Sequence, residues 1–256
     1  MSAGMEITMK QTDIINPFQP YMTLEMDGYS QINRTDYGIS HFYEFTIHDE
    51  KKHCIKAVPD ASIDLLFNIG ENKVSTYISG TVFGVKKWEL GTQDDCFGVR
   101  FQPGQGILPK DITMEMIVND DIEIDGDIFG KNLTEKIALA KTMSERIEIF
   151  KKAYEDMVLG RNSLSDKEKI NEYLVNRISR TKGMITMRQL EDETNYSACY
   201  LRRIFKSFHG ISPKQFAQYI RFQNLLMQAD KEGVRYEQVA LDCGYYDEPH
   251  MMKEFK

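Results

Sequence analysis

The feature that most constrains this chain is a short helical pattern that occurs twice in its last third, about 50 residues apart. In the first copy Met187, Leu190 and Thr194 fall on one side of a short helix. Asn195-Tyr196 follows, and Asn tolerates the left-handed backbone of a tight turn. Ser197 is placed to cap a second helix, in which Leu201, Ile204, Phe205 and Phe208 take the i, i+3, i+4, i+7 spacing of one buried stripe. Cys199, Arg202, Arg203 and Lys206 repeat that spacing two positions earlier, on roughly the opposite face. Gly210 ends this helix and Ser212-Pro213 opens the next. In the second copy Val239, Ala240 and Cys243 mirror the first short helix, and Gly244-Tyr245 replaces Asn195-Tyr196. Asp247 replaces Ser197 as the cap, and Phe255-Lys256 matches Phe205-Lys206. Two helix-turn-helix units on one rigid body suit two major-groove faces one helical turn, about 34 Å, apart.

Charge supports this division of labour. The 256 residues carry a net charge of −7, but residues 1–160 hold 16 basic against 26 acidic side chains and residues 161–256 hold 16 against 13, so the two parts differ in sign, −10 against +3. No acidic residue lies between Thr194 and Ala229, where Arg202, Arg203, Lys206, Lys214 and Arg221 are basic. A local basic stretch of this kind suits a phosphate-facing surface; a solvated helical face is the plainer reading of the same charges.

Upstream the pattern changes. Residues 14–125 read as mostly β, with runs at His41–Ile47, Ser62–Asn68, Thr76–Ser79, Cys96–Gln102 and Met114–Val118. Turn residues separate them at Asn68-Ile-Gly70-Glu-Asn72, Pro103-Gly-Gln-Gly106 and Asp125-Gly-Asp127. Many short strands predict a barrel or sandwich. From Asn132 the period becomes helical: Leu133, Ile137 and Ala140 form one helix, and a second, capped by Ser144, carries Ile147, Phe150, Tyr154 and Met157. Ser165-Asp-Lys-Glu168 reads as a capping box opening another helix. The predicted domains are 1–160, β-rich with connector helices, and 161–256, all-helical.

Other chemistries find little support. No apolar run approaches the roughly 20 residues of a membrane helix, and Met1–Lys10 shows no secretion signal. Cys54, Cys96, Cys199 and Cys243 are far apart, which fits reduced thiols in a cytoplasm. His41, His48 and His53, with Glu44 and Glu50, are the nearest approach to a metal site, but no H-x-H pair occurs. Residues 41 and 48 would face opposite sides of one straight strand. There is no G-x-S-x-G and no P-loop, and Gly104-Gln-Gly106 lacks a third glycine. No catalytic residue, metal or cofactor is therefore assigned. A metal-dependent cupin-type enzyme and a ligand-free interaction module stand as the alternatives.

The stretch Tyr196-Ser-Ala-Cys-Tyr-Leu-Arg-Arg-Ile-Phe-Lys206, followed by His209-Gly-Ile-Ser-Pro213, resembles the first recognition helix and exit turn of the AraC/XylS family of transcription regulators. Val239-Ala240, Cys243-Gly-Tyr245 and His250 through Lys256 resemble the second. The resemblance implies an α+β chain: a cupin-like N-terminal barrel with connecting helices, and a C-terminal double helix-turn-helix domain. It implies a DNA-binding face of Ser197, Ala198, Cys199, Tyr200, Arg202, Arg203 and Lys206, with Arg221 on phosphate and Pro249, His250 and Lys253 at the second groove. Glu191 stands where the family usually has a small Ala, and Glu254 takes the place of Ile204. The family usually adds a further helix after the second copy, so a chain ending at Lys256 is expected to be truncated.

Val58–Gly70 and Gly98–Gly104 resemble sensor segments of AraC-like regulators whose ligand is unassigned. A small-molecule effector is the implied partner of the barrel, with Phe45, Phe67, Tyr77, Trp88 and Arg100 as candidate contacts. Arg100 is the one that would hold a carboxylate. The remaining implied partners are double-stranded DNA, a second copy of the chain paired through the helices at 132–158, and RNA polymerase.

Overall fold

The computed structural model describes residues 15–26, 28–46, 54–71, 73–89, 95–106, 108–160, 164–231, 233 and 235–246. The chain divides into two compact units, a β-rich one of residues 17–162 and a helical one built on the residues from 163 onward.

The first unit contains strands β1 (Ser30–Asn33), β2 (Ile39–Thr46), β3 (Cys54–Ala57), β4 (Asp64–Ile69), β5 (Val74–Ser79), β6 (Lys86–Glu89), β7 (Asp95–Phe101) and β8 (Asp121–Ile124). Its helices are α1 (Pro20–Glu25), α2 (Met114–Ile117), α3 (Leu133–Leu139) and α4 (Met143–Leu159). Among the described residues the strands form a six-stranded antiparallel sheet, β1-β2-β7-β4-β5-β8, and a separate β3–β6 ladder. The β-rich unit with helices at its end is thus present, hydrogen-bonded as two sheets and not as one closed cylinder among those residues.

Four predicted runs became β2, β4, β5 and β7. The fifth, Met114–Val118, did not: it is α2 and not a strand. Met114 and Ile117 are buried three apart while Glu115 and Met116 are exposed, so the local period is helical. The four-residue strands β1, β3, β6 and β8 are too short to display a period at all.

Alternation gives the large sheet two different faces. On one, Phe42, Leu65, Phe67, Ile78, Phe97, Val99 and Phe101 pack under Leu133, Ile137, Ile147, Phe150 and Tyr154 of α3 and α4. Phe150 meets Phe42 edge-on and stacks on Tyr154. The apolar stripes of both connector helices are consumed here. Helix α4 opens with a capping box of Thr142 and Glu145, so Ser144 lies inside the first turn and is not the cap.

On the other face Met22 of α1 packs on Tyr43, Phe45 and Cys96. The Tyr43 ring crosses the neighbouring strand at Gly98, and its hydroxyl donates to Asp64 Oδ1 at 2.7 Å. This crossing requires glycine: a Cβ at 98 would lie 2.0 Å from the ring.

The second unit contains α5 (Asp166–Arg180), α6 (Met187–Thr194), α7 (Ala198–His209), α8 (Pro213–Ala229) and α9 (Tyr236–Asp242). Ser165 and Glu168 form the expected box at α5. Helix α7 touches α5, α6 and α8, and α9 packs on α8.

Replacing Gly98 with Ala forces the Tyr43 ring off Asp64. The expected loss is about 1–3 kcal/mol, the usual cost of overpacking a core, read as a lowered urea midpoint. An unchanged midpoint would contradict the crossing.

Candidate nucleic-acid interface

The first helix-turn-helix is built as its sequence requires. Thr186 and Gln189 close a capping box at α6, whose Leu190 is buried. Asn195 takes the left-handed conformation at φ 58°, and Ser197 accepts from the Tyr200 N–H to cap α7. Gly210 ends α7, again left-handed, and Ser212 with Gln215 opens α8 on Pro213.

Helix α7 is split cleanly by burial. Leu201, Ile204 and Phe205 are buried, whereas Cys199, Arg202, Arg203 and Lys206 are exposed. Phe205 packs edge-on to Phe216 of α8 and lies 4.3 Å, ring to ring, from His209. Arg202 and Lys206 have no carboxylate partner among the described residues, so their charge is available to solvent. By contrast Arg177 and Tyr173 both donate to Glu193, which ties α5 to α6.

The remaining candidates have distinct surroundings. Tyr200 is half-buried, pairs with Tyr196 at 5.1 Å and lies under the Arg203 guanidinium, 5.3 Å from its ring centre. Ala198 is half-buried at the first turn. Arg221 is half-buried on α8, 5.3 Å from the centre of the Tyr245 ring, so it is packed as well as charged. In the second copy Val239, Ala240 and Cys243 are buried and Gly244 takes a positive φ of 82°. Tyr245 is buried where its counterpart Tyr196 is exposed. Asp247, Pro249, His250, Lys253 and Glu254 lie outside the described residues.

Two features had no sequence signal. Glu191 accepts a hydrogen bond from the Ala198 N–H, so the acidic side chain at that position closes an otherwise open donor of α7. The two residues are seven apart across a turn, beyond any local rule. His209 is buried with Nε2 2.8 Å from Asn171 Oδ1. Burial pushes its pKa down to about 3, so the ring is neutral.

The proposed effector contacts are not brought together. Phe45 and Phe67 are fully buried on opposite faces of the sheet, so no single cavity is lined by both. Tyr77 is half-buried on β5, and Trp88 lies on β6 with its side chain outside the described residues. Arg100 is buried and already paired, at 3.0 Å to Asp64 and 3.3 Å to Asp60. Its carboxylates come from the chain itself. Beside it His41 is buried, its pKa lowered to about 3 by burial and by the Arg100 charge, and its Nδ1 is 3.0 Å from Ser40 Oγ. His48, His53 and Glu50 lie outside the described residues, and no metal-competent cluster of three occurs among the described ones.

Residues 190–256 match the family model described as a helix-turn-helix domain, over the segment whose turn, cap and exposed face are set out above. Residues 190–256 are thus a helix-turn-helix domain. Residues 37–123, which span most of the large sheet, match a domain of unknown function (DUF6597). No curated protein matches the chain. Solved structures of ToxT from Vibrio cholerae match it at low identity. An apo variant from strain SCE256 is 14% identical over 88% of this chain and 94% of that one, with a TM-score of 0.43. Wild-type ToxT bound to an unsaturated fatty acid is 12% identical over 89% and 93%, with a TM-score of 0.41. At that level of superposition they assign no residue of this chain. Among the described residues no helix is long and apolar enough to cross a membrane.

Two outcomes are expected. Glu191→Ala opens the α7 N-terminus and should cost about 0.5–2 kcal/mol, the range for a lost helix cap, with Glu191→Gln costing less because it keeps an acceptor; equal unfolding midpoints for all three proteins would refute this. For His209, the unfolded ring takes a proton near its ordinary 6.5 while the folded ring refuses it until about 3. Protons therefore favour the unfolded chain in that window, and the stability from this group, complete above 6.5, declines as pH falls towards 3. Unfolding midpoints across that range should fall less steeply for His209→Gln than for the parent.

Proposed function

We propose that the chain is a transcription regulator of the AraC/XylS type, which recognises a specific double-stranded DNA site through the exposed face of α7 and its second copy, under control of an effector taken by the β-rich unit. The observation that carries the DNA reading is the burial split of α7. Its apolar stripe packs on α5, α6 and α8, which leaves Cys199, Arg202, Arg203 and Lys206 exposed on the other face, three of them cationic and none paired with a carboxylate among the described residues.

Arg202 and Arg203 are the base readers, since guanidinium pairs two acceptors of guanine. Stacking on Tyr200 restricts Arg203 and lowers the entropy it loses on pairing. Lys206, a point charge one turn further on, serves phosphate. Arg221, held against Tyr245, serves the backbone near the second turn. Ser197 and Ala198 bring the α7 N-terminus to the groove, and Pro249, His250 and Lys253 are the second-groove contacts.

The chain is read as a non-enzyme that works in the cytoplasm, with RNA polymerase and a second copy of itself as partners. Pairing of copies would use surface other than the α3 and α4 stripes, because Ile137, Ile147, Phe150 and Tyr154 are spent inside the unit. Effector binding acts by shifting the population of chains able to grip the operator.

The test is selection of bound duplexes from a random pool at two salt concentrations. The expected product is two short blocks about one turn, 34 Å, apart, with affinity that falls as salt rises. Against that site Arg203→Ala should cost about 1–3 kcal/mol and relax one base step, whereas Lys206→Ala should weaken all sequences alike. If both variants weaken specific and random DNA equally, these roles are wrong.

A further inference from the structure

A cleft of about 480 Å³ opens in the β-rich unit where the β5–β8 sheet edge meets α3. That size falls within the range of small-molecule sites. One wall is apolar: Val74 and Ile124 from the strands, Ala138 and Leu139 from α3. The rest is acidic, with Asp125, Asp127 and Glu135, and no basic residue lines it.

The three carboxylates are not equivalent. Asp127 is committed to the fold: its oxygens accept from the N–H groups of Asn132 and Thr134 at 3.0 Å each, and these backbone bonds hold its carboxyl below the usual range. Asp125 uses one oxygen to accept from the Asp127 N–H at 2.9 Å. Glu135 has no partner among the described residues. Neither Asp125 nor Glu135 has a cation to neutralise it there, so the cleft presents uncompensated negative charge above an apolar wall.

The floor supplies a second, independent observation. Thr76 is 2% exposed, and its hydroxyl has no hydrogen-bond partner. An unsatisfied buried hydroxyl is expensive. It lies against Gly126, where a Cβ would come within 2.6 Å of Thr76 Oγ1 and of Thr134 Oγ1. Glycine is what leaves room beside the two hydroxyls, which gives the Asp125-Gly-Asp127 turn a purpose beyond turning.

We propose that this cleft binds an organic cation, a protonated amine on an apolar body, as the effector of the regulator. The ammonium lies between Asp125 and Glu135 with a donor towards the Thr76 hydroxyl, and the body lies along Val74, Ile124, Ala138 and Leu139. The proposal rests on the reading of the β-rich unit as effector-responsive. It also gives that reading a lever: one wall is α3, which packs on α4, the last helix before the unit boundary.

The test uses the full chain with octylammonium as probe and octanoate as its opposite-charge control, both below micellar concentrations. Octylammonium should raise Tm and bind saturably, and octanoate should do neither. Asp125→Asn combined with Glu135→Gln should weaken binding by about tenfold. Leu139→Arg, at a position 73% exposed, should do likewise without disturbing the fold. Octylammonium should also change affinity for the selected duplex in the parent and not in either variant. Absence of binding, equal binding of octanoate, or full binding in both variants overturns the site. Binding without any change in DNA affinity overturns the effector role. Failure of the chain to select any duplex, with or without probe, would count against the DNA reading alone, because the Tm and binding measurements judge the cleft separately.

Discussion

A guanidinium carried into a protein interior must be neutralised where it lies, and much of the β-rich unit is arranged around that demand at Arg100. Burial opposes its charge, yet Asp64 and Asp60 hold its pKa above the ordinary value. Asp64 is in turn raised by its own burial and then lowered by Arg100 and by the hydrogen bond from Tyr43. Tyr43 can make that bond only because Gly98 lets its ring cross the intervening strand. Gln19 closes the group from the side of α1, donating to Asp60 and to the Val58 carbonyl and accepting from the Val58 N–H. The sheet, the strap of α1 and the loop at 58–60 are thereby fixed to one another through a charge that no ligand is needed to balance.

The helical unit depends on a simpler constraint. A helix can offer a surface for reading DNA only if its opposite face is held firmly enough to fix its rotation. In α7 that grip comes from Leu201, Ile204 and Phe205, and from the aromatic contacts of Phe205 with His209 and Phe216. Both ends are closed as well: Ser197 and Glu191 satisfy donors at the start, and Gly210 turns the chain at the end. The exposed cations are then presented in one orientation. Their effect is local, because screening confines it to about 10 Å, so an acidic partner unit is compatible with an anionic target. A chain with net charge −7 can therefore bind DNA at one face.

The sequence alone determined the helical unit well. A period of 3.6 residues, a polar cap, an Asn or Gly at the turn and a repeat of all three are local signals, and the structure placed Asn195, Ser197, Gly210 and the Leu201–Phe205 stripe as those signals require. The longer strands were legible for the same reason. What local pattern could not decide was pairing across distance. It took the tertiary structure to reveal that Arg100 is matched by two carboxylates 36 and 40 positions away, that Phe45 and Phe67 face opposite ways, and that Glu191 reaches across the turn to Ala198. It also assigned the stripes of α3 and α4 to the sheet and brought Thr76, Gly126 and Glu135 to one cleft. Periodicity records which face of an element is apolar. Which partner that face or charge will meet is set by how the chain folds back on itself, and no short window of residues contains that information.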